Sequence, residues 1–344
     1  MRKMKNGTLF TLLLFGLQVV AQDIHFTQSS QTPLWINPAT TGLYDGWERI
    51  IANHRNQWLG SNTQFMTTAL SADINLLKTT QNDKAYLGLG LFLWNDQGGD
   101  ANFGSKQGQL SISGIVPVAD GHQVSAGLQG GLGYRGGNMN NLYFSNQWNG
   151  SEFDQTLPSL ESDRLQSNMF FDLSTGINYQ YNNTATNFTR NETFQFQFGI
   201  AMYHVNKPNI KYYGLTNERL YRKLVLHTNF LKEFPGSEWG VQGSFVQFFQ
   251  GSHASSLLGL MLRYRLKTGS KITTLRRDAH FSFGFYQRSL DAFAPAFLIE
   301  LKGFQFGVSY DVTVSSIRKT HSGGSIEFSL SYRNLSHAVF KRRR

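Results

Sequence analysis

From residue 47 onward the chain alternates. Apolar side chains take every second position through one segment after another, and Gly, Asn, Asp or Pro bound each segment. The segments are 47–56, 65–74, 85–95, 107–117, 122–135, 169–181, 193–204, 221–231, 239–249, 256–265, 279–288, 295–301, 304–312 and 324–333. In 193–204, Phe194, Phe196, Phe198, Ile200 and Met202 share one face, and Thr193, Gln195, Gln197, Gly199 and Ala201 share the other. In 304–312, Phe304, Phe306, Val308, Tyr310 and Val312 oppose Gln305, Gly307, Ser309 and Asp311. In 324–333, Ile326, Phe328, Leu330 and Tyr332 oppose Ser325, Glu327, Ser329, Ser331 and Arg333. Most segments have about the 9–13 residues that a tilted strand needs to cross a bilayer, against about 5–6 in soluble sheets. A large apolar face beside a Gly/Ser/Gln face is a barrel wall with lipid outside and a polar interior. A soluble sandwich alternates too, but its outer face would carry more Lys and Glu. The pattern predicts an all-β fold: a transmembrane antiparallel up-and-down β-barrel of about 14 strands, with roughly 12–16 as the bounds.

The connections agree. If strand one starts in the periplasm, connections 4–5, 8–9 and 12–13 are periplasmic and should be short. They read Val118-Ala119-Asp120-Gly121, Phe234-Pro235-Gly236-Ser237 and Lys302-Gly303. The longest connection, 136–168, then faces outside.

The chain ends add the compartment. Arg2, Lys3 and Lys5 precede the apolar run TLFTLLLFGLQVV, and Val19-Val20-Ala21 offers small residues for cleavage. This is the pattern of a secretory signal peptide, 1–21, too short to span a bilayer. Residues 22–46 form an N-terminal periplasmic arm or plug, 47–333 the outer-membrane barrel, and 334–344 a basic tail. The net charge of +10 is concentrated at the ends: three positive charges lie in the leader and four in 341–344. The body therefore has no basic face, and nucleic acid is not expected as a partner. There is no Cys, so no disulfide framework and no thiolate metal site.

No catalytic, cofactor-binding or metal-binding constellation is expected. The nine His residues are scattered, with no His-x-x-x-His pair and no nucleophile elbow or phosphate loop in its proper setting. Asp172 and His227 fall on lumen-facing positions and read as residues satisfied by polar neighbours. Gly127, Gly131 and Gly133 read as small lumen-facing positions rather than a phosphate loop. The lumen face carries Gly, Ser, Gln and Asn with few charges, which fits an interior filled by a plug better than a charged constriction. In the long outer connection, Tyr143, Phe144, Trp148, Phe153 and Asp154 stand among Asn and Gly. They are candidate partner-binding residues; a loop folded into the barrel mouth on its own aromatics is the other reading.

The order of several short motifs resembles the PorP/SprF family, outer-membrane proteins of the type IX secretion system of Bacteroidetes. The stretch Gln22-Asp23-Ile24-His25-Phe26-Thr27-Gln28 precedes Leu34-Trp35-Ile36-Asn37-Pro38-Ala39-Thr40-Thr41-Gly42, and Arg55-Asn56-Gln57-Trp58 follows. Asn95-Asp96 ahead of Gly99, the Phe144…Phe153-Asp154…Pro158 segment, Phe171-Asp172-Leu173, His204 ahead of Pro208, and the last strand continue the likeness along the mature chain. His54 departs from the family, where Tyr is common. The resemblance marks Asn37, Pro38, Ala39, Gly42, Arg55, Gln57, Trp58, Asn95 and Asp96 as structural family positions. It implies a non-enzymatic barrel without cofactors that contacts outer-membrane lipid. It also implies partners: the C-terminal domain of a large type IX-secreted adhesin, in some members a gliding adhesin, and periplasmic ring components of the system. The barrel would assist secretion of that adhesin, anchor it at the surface, or both. The alternative is an outer-membrane channel for small or apolar solutes. Asn37-Pro38 fixes a turn, and Gly42 is free to take positive φ. Arg55 and Gln57 share parity and face the lumen, while Trp58 suits an interfacial girdle.

Overall fold

Between Tyr86 and Trp94 the side chains strictly alternate between buried and exposed. Leu87, Leu89, Leu91 and Leu93 are exposed, while Tyr86, Gly88, Gly90, Phe92 and Trp94 are buried. An exposed row of leucines is costly in water and favourable in lipid, so the alternation itself sets inside and outside. In a computed structural model this strand is one of fourteen. The structure describes residues 24–58, 65–79, 84–138, 142–160, 167–183, 193–210, 218–267, 279–289, 291–314 and 324–335. The leader and the 341–344 basic cluster lie outside the described residues.

The strands are β1 (Glu48–Gln57), β2 (Phe65–Leu76), β3 (Tyr86–Gly98), β4 (Phe103–Ala119), β5 (His122–Gly136), β6 (Asn168–Asn182), β7 (Phe194–Tyr203), β8 (Lys223–Glu233), β9 (Trp239–Gln250), β10 (His253–Lys267), β11 (Ala279–Arg288), β12 (Ala292–Leu301), β13 (Phe304–Thr313) and β14 (Ser325–Arg333). Each pairs antiparallel with its neighbours in sequence, and β1 pairs with β14 to close the barrel. Closure leaves no unpaired strand edge, which a lipid-facing sheet requires. No helix among the described residues is long and apolar enough to cross a membrane.

All fourteen expected strands are present. β4, β10 and β12 start several residues earlier than the alternation indicates. In β12 the reason is Pro295: it reads as a boundary, yet it sits inside the strand. Its missing N–H is tolerated because the β12–β13 ladder skips 294–295, while β11 still pairs across it through Phe285. The three tight turns, at 120–121, 234–238 and 302–303, lie at the end where β1 starts and β14 finishes. The connections at 77–85, 183–193 and 268–278 share that end and are longer. The longest connections, between β5 and β6 and between β7 and β8, lie at the other end, the outer end in the usual orientation.

The arm runs inside the barrel. It consists of a short turn at Ser29–Gln31, one helical turn at Pro33–Ile36 and a second short turn at Pro38–Thr40. It starts high: Thr27 meets Asp311 and Glu327, near the outer ends of β13 and β14. It then descends. Asn37 lies among β6, β7 and β8, Thr41 beside Ser111 of β4, and Gly42 beside Asp73 near the lower end of β2. At the bottom, Trp47 N–H donates to the Asn334 carbonyl (2.9 Å), and Asn334 N–H to that of Glu48 (2.8 Å). Burial raises the Tyr44 phenol above its usual range, with the Asp73 carboxylate adding to the effect. Its hydroxyl donates to the Asp73 carbonyl, 2.8 Å away. Burial lowers the Lys78 ammonium, which donates to the Tyr44 carbonyl at 2.7 Å.

The arm inverts the usual barrel interior. Ile24, Phe26, Leu34, Trp35 and Ile36 form one apolar cluster with wall residues that include Phe92, Tyr203, Val225, Phe248, Met261 and Tyr286. This is a hydrophobic core in the middle of a lumen. Glycines make room for it. A Cβ on Gly127 would lie 2.5 Å from the Pro38 carbonyl carbon, and one on Gly88 would collide with the Thr41 carbonyl. Gly114 faces open space instead. Gly127→Val should therefore lever Pro38 off the wall and destabilise the plug by about 1–3 kcal/mol, as overpacking does. Gly114→Val should be neutral. Planar-bilayer recordings check this: the Gly127 variant should show openings that the wild type and the Gly114 variant lack.

Candidate functional site

Two regions contain the residues singled out by sequence: the wall that grips the arm, and the outer loop above it.

The grip centres on carboxylates. Thr27 N–H and Gln28 N–H donate to the two oxygens of Glu327, at 2.6 and 2.9 Å. The Gln28 amide donates to the Glu327 carbonyl at 3.1 Å and accepts from the Ser329 hydroxyl at 2.7 Å. The Thr27 hydroxyl donates to Asp311 at 2.8 Å. Arg55 ties arm to wall: it donates to the His25 carbonyl at 2.9 Å and to Asp311 at 3.1 Å. Arg288 reaches Asp311 at 3.3 Å. Lower down, Arg49 makes a two-pronged pair with Asp73, at 2.9 and 2.7 Å. Buried charges need such partners, because each has lost its water.

This overturns one expectation. The lumen is not poor in charge. Arg49, Arg55, Asp73, Asp172, Glu233, Arg265, Asp311 and Glu327 are all buried in it. Each strand contributes only one or two of them, so no single segment looks charged. The pairs join positions far apart in sequence and neutralise one another. Arg265, for instance, meets Glu233 at 2.8 Å, and Asp172 accepts from the His204 ring (Nδ1) at 3.0 Å.

Of the family positions, Asn37, Pro38, Ala39, Gly42 and Arg55 lie along the same interface, while Gln57, Trp58, Asn95 and Asp96 lie at the outer ends of β1 and β3. Asn37 is fully buried. Its Oδ1 accepts from Ala39 N–H at 2.8 Å; its Nδ2 donates to the Ile177 carbonyl at 2.9 Å and lies 3.0 Å from Nε2 of His227. Pro38 opens the turn that Asn37 caps. The Ala39 carbonyl accepts from Ser125 at 2.7 Å. Gly42 takes φ of 71° and donates its N–H to Asp73 at 2.8 Å. Gln57 ends β1, and Trp58 follows it at φ 61°, edge-on to Phe65 at 4.9 Å. Asn95 and Asp96 lie near the outer end of β3, where Asp96 accepts from the Thr67 hydroxyl and Asn95 donates to Gln97 at 3.4 Å. Glu327, Asp311 and Gln28 were not singled out beforehand. The available signal was a lone acid among Ser and Gly on the inward face of a strand.

The outer loop is a self-supporting unit. Trp148 and Phe153 form a bridge, with ring centroids 5.2 Å apart, and Tyr143 packs on Phe153 at 5.9 Å. Gln147 is buried and holds the loop shut: its amide donates to the Leu157 carbonyl at 3.1 Å and accepts from Phe144 N–H at 3.1 Å. Asp154 accepts from the Thr156 N–H and hydroxyl, which hold its carboxyl below the usual range. Asp154 is thus used within the loop. The rings touch one another and still remain exposed: Tyr143 by 62%, Trp148 by 49% and Phe153 by 52%. The loop thus folds on its own aromatics and leaves those aromatics outside.

A family model for the type IX secretion system membrane protein PorP/SprF matches residues 19–332, the whole barrel and its arm. The chain belongs to this family. No curated protein matches it. Among solved structures, this PorP/SprF chain is similar to the CymD monoaromatic hydrocarbon channel at 14% identity, covering 91% of this chain and 94% of that one, with a TM-score of 0.46. It is similar to the toluene transporter TodX of P. putida at 12% identity, covering 88% and 93%, with a TM-score of 0.44. The translocator domain of the autotransporter NalP from Neisseria meningitidis follows at 11% identity, covering 89% and 96%, with a TM-score of 0.36. PorP/SprF membership and the closed barrel together place the chain among outer-membrane barrels of the type IX system.

The grip can be tested on one atom. In Glu327→Gln the amide keeps a single acceptor and turns an N–H₂ toward a backbone N–H. The loss should be about 1–3 kcal/mol of plug stability. Limited proteolysis of the reconstituted protein should release residues 22–46 faster than in the wild type, while the barrel keeps its heat-modifiable mobility.

Proposed function

We propose that this barrel is a docking component of the type IX system, which assists export of one large partner adhesin, anchors it at the cell surface, or does both. The observation that carries the reading is the apolar core inside the lumen. A wall built to pass solutes needs a continuous wet path, whereas here Phe26, Leu34 and Trp35 are buried where that path would run. The work then falls to the outer surface. Tyr143, Trp148 and Phe153 offer a preformed aromatic patch, the composition that anchors protein interfaces. The C-terminal domain of the adhesin is the expected occupant. The periplasmic end, where Gly46 and Asn334 lie together, is the expected contact for the ring components.

The reading also takes residues 1–21 as a cleaved leader, and the lumenal arm as the plug that keeps the membrane sealed while cargo is held outside. The second reading, a channel for small or apolar solutes, requires a path past the plug and predicts a steady conductance.

Replacing Tyr143, Trp148 and Phe153 together by Ser should leave barrel stability unchanged and reduce surface display of the cargo at least about tenfold, because aromatic anchors dominate interface energy. Whole-cell immunolabelling measures the display. Normal display from a folded barrel would refute the loop assignment, and a steady single-channel current in the wild type would favour the channel.

A further inference from the structure

The direction of the arm bears on where the mature chain begins. Residues 24–28 are fixed at the outer end of the lumen by contacts of their own. The His25 carbonyl accepts from Arg55 at 2.9 Å, two residues before the outer end of β1. The His25 ring lies 6.3 Å from that of Phe248, near the outer end of β9, and it is half-buried. Ile24 and Phe26 are 4% and 2% exposed, and Phe26 meets the Trp35 ring edge-on at 5.8 Å. Glu327 then holds the N–H groups of Thr27 and Gln28. At the other end of the arm, Trp47 N–H donates to the Asn334 carbonyl, just past β14. Glu327 and Asn334 are seven positions apart, about 23 Å of strand at roughly 3.3 Å per residue.

Fourteen strands alone return a chain to the side on which it started. β1 leaves the periplasmic end, and β14 comes back to it. The arm is one further crossing, made inside the lumen instead of in the wall, and it runs from the outer end to the periplasmic end. With the leader removed after Ala21, only Gln22 and Asp23 precede Ile24. Two residues reach at most about 7 Å, well short of the way back down the wall.

We propose that the mature amino terminus lies on the extracellular side, at the rim bounded by β9, β10, β14 and β1, within reach of proteins outside the cell. The placement rests on the reading of 1–21 as a cleaved leader and goes beyond the docking role. It makes the first residues of the arm part of the outer face. They stand beside strand ends that no long loop covers, because β9 and β10 are joined by 251–252 alone. It also orders maturation. A leader still attached three residues before Ile24 would hold this segment at the inner membrane, out of reach of Glu327, so its removal precedes seating of the arm.

The chain contains no Cys, so a single introduced thiol reports alone. The test compares Asp23→Cys with two controls at exposed positions, Glu152→Cys in the outer loop and Asp120→Cys in a periplasmic turn. Intact cells are treated with a polyethylene-glycol maleimide that the outer membrane excludes. Only the folded fraction, identified by its heat-modifiable mobility, is scored. Asp23→Cys should be modified on intact cells to the same extent as Glu152→Cys, and Asp120→Cys only after permeabilisation. Modification of Asp23→Cys only after permeabilisation would put the terminus in the periplasm. Modification only after unfolding would enclose it in the lumen. Either outcome overturns the proposal. The intact mass of the purified protein gives its first residue. A chain that still carries 1–21 refutes the leader reading, while the thiol still reports on which side residue 23 lies. The display assay of the loop variant is independent, so the docking role and this placement can fail separately.

Discussion

A charge inside this barrel cannot stay without a partner, and the arm is what the wall's carboxylates hold. Glu327 accepts two consecutive backbone N–H groups of Thr27 and Gln28, and Asp311 accepts the neighbouring hydroxyl while Arg55 and Arg288 balance it. With the arm in place the two acids are cut off from water, and the arm's N–H and hydroxyl groups are the donors that replace it. The ordering entropy of a segment with little regular structure is offset here by hydrogen bonds to charge and by apolar burial together. Either alone would be a weaker clamp: hydrogen bonds to wall carboxylates could be exchanged for water, and an apolar arm without them could slide.

The placement of that grip matters as much as its chemistry. β1 and β14 are the first and last strands and close the barrel against each other. Arg55 stands on β1, Glu327 directly opposite it on β14, and Asp311 on β13. The arm is thus tied to both sides of the closing seam by groups that come from the two ends of the chain. It then touches the remaining wall on its way down, through Asn37, Ala39 and Thr41. Plug and seam are thus coupled through one set of polar groups, at Arg55, Asp311 and Glu327.

What the sequence made legible follows the same division. The wall was legible because its rule is local: lipid outside and small or polar side chains inside impose a period of two, strand by strand. Even there Pro295 misled, since only the neighbouring ladder reveals that its missing N–H is not needed. The turn at Asn37-Pro38 and the inward parity of Arg55 were legible for the same reason. The course of the arm was not. Nothing near Thr27 announces Glu327, 300 positions away in the chain. The lumen likewise looked poor in charge because each strand contributes only one or two charged residues, and only barrel closure sets Arg55 against Asp311. In the outer loop, composition identified the aromatics, but their packing depends on Gln147, a residue with no distinguishing pattern.

A plug held by paired charges and an apolar core has a consequence for where specificity can reside. The lumen side chains that hold the arm, Arg55, Asp311 and Glu327 among them, are already committed to it, so a change of partner there would loosen the plug. The outer loop is different. Its rings are supported by hydrogen bonds within 142–160: Gln147 donates to the Leu157 carbonyl, Asn149 accepts from Glu152 N–H, and Asp154 accepts from the Thr156 hydroxyl. It can therefore vary its exposed aromatic face while leaving the wall untouched. A scaffold that fixes the membrane seal with one set of residues, and presents a partner surface with another, separates stability from recognition.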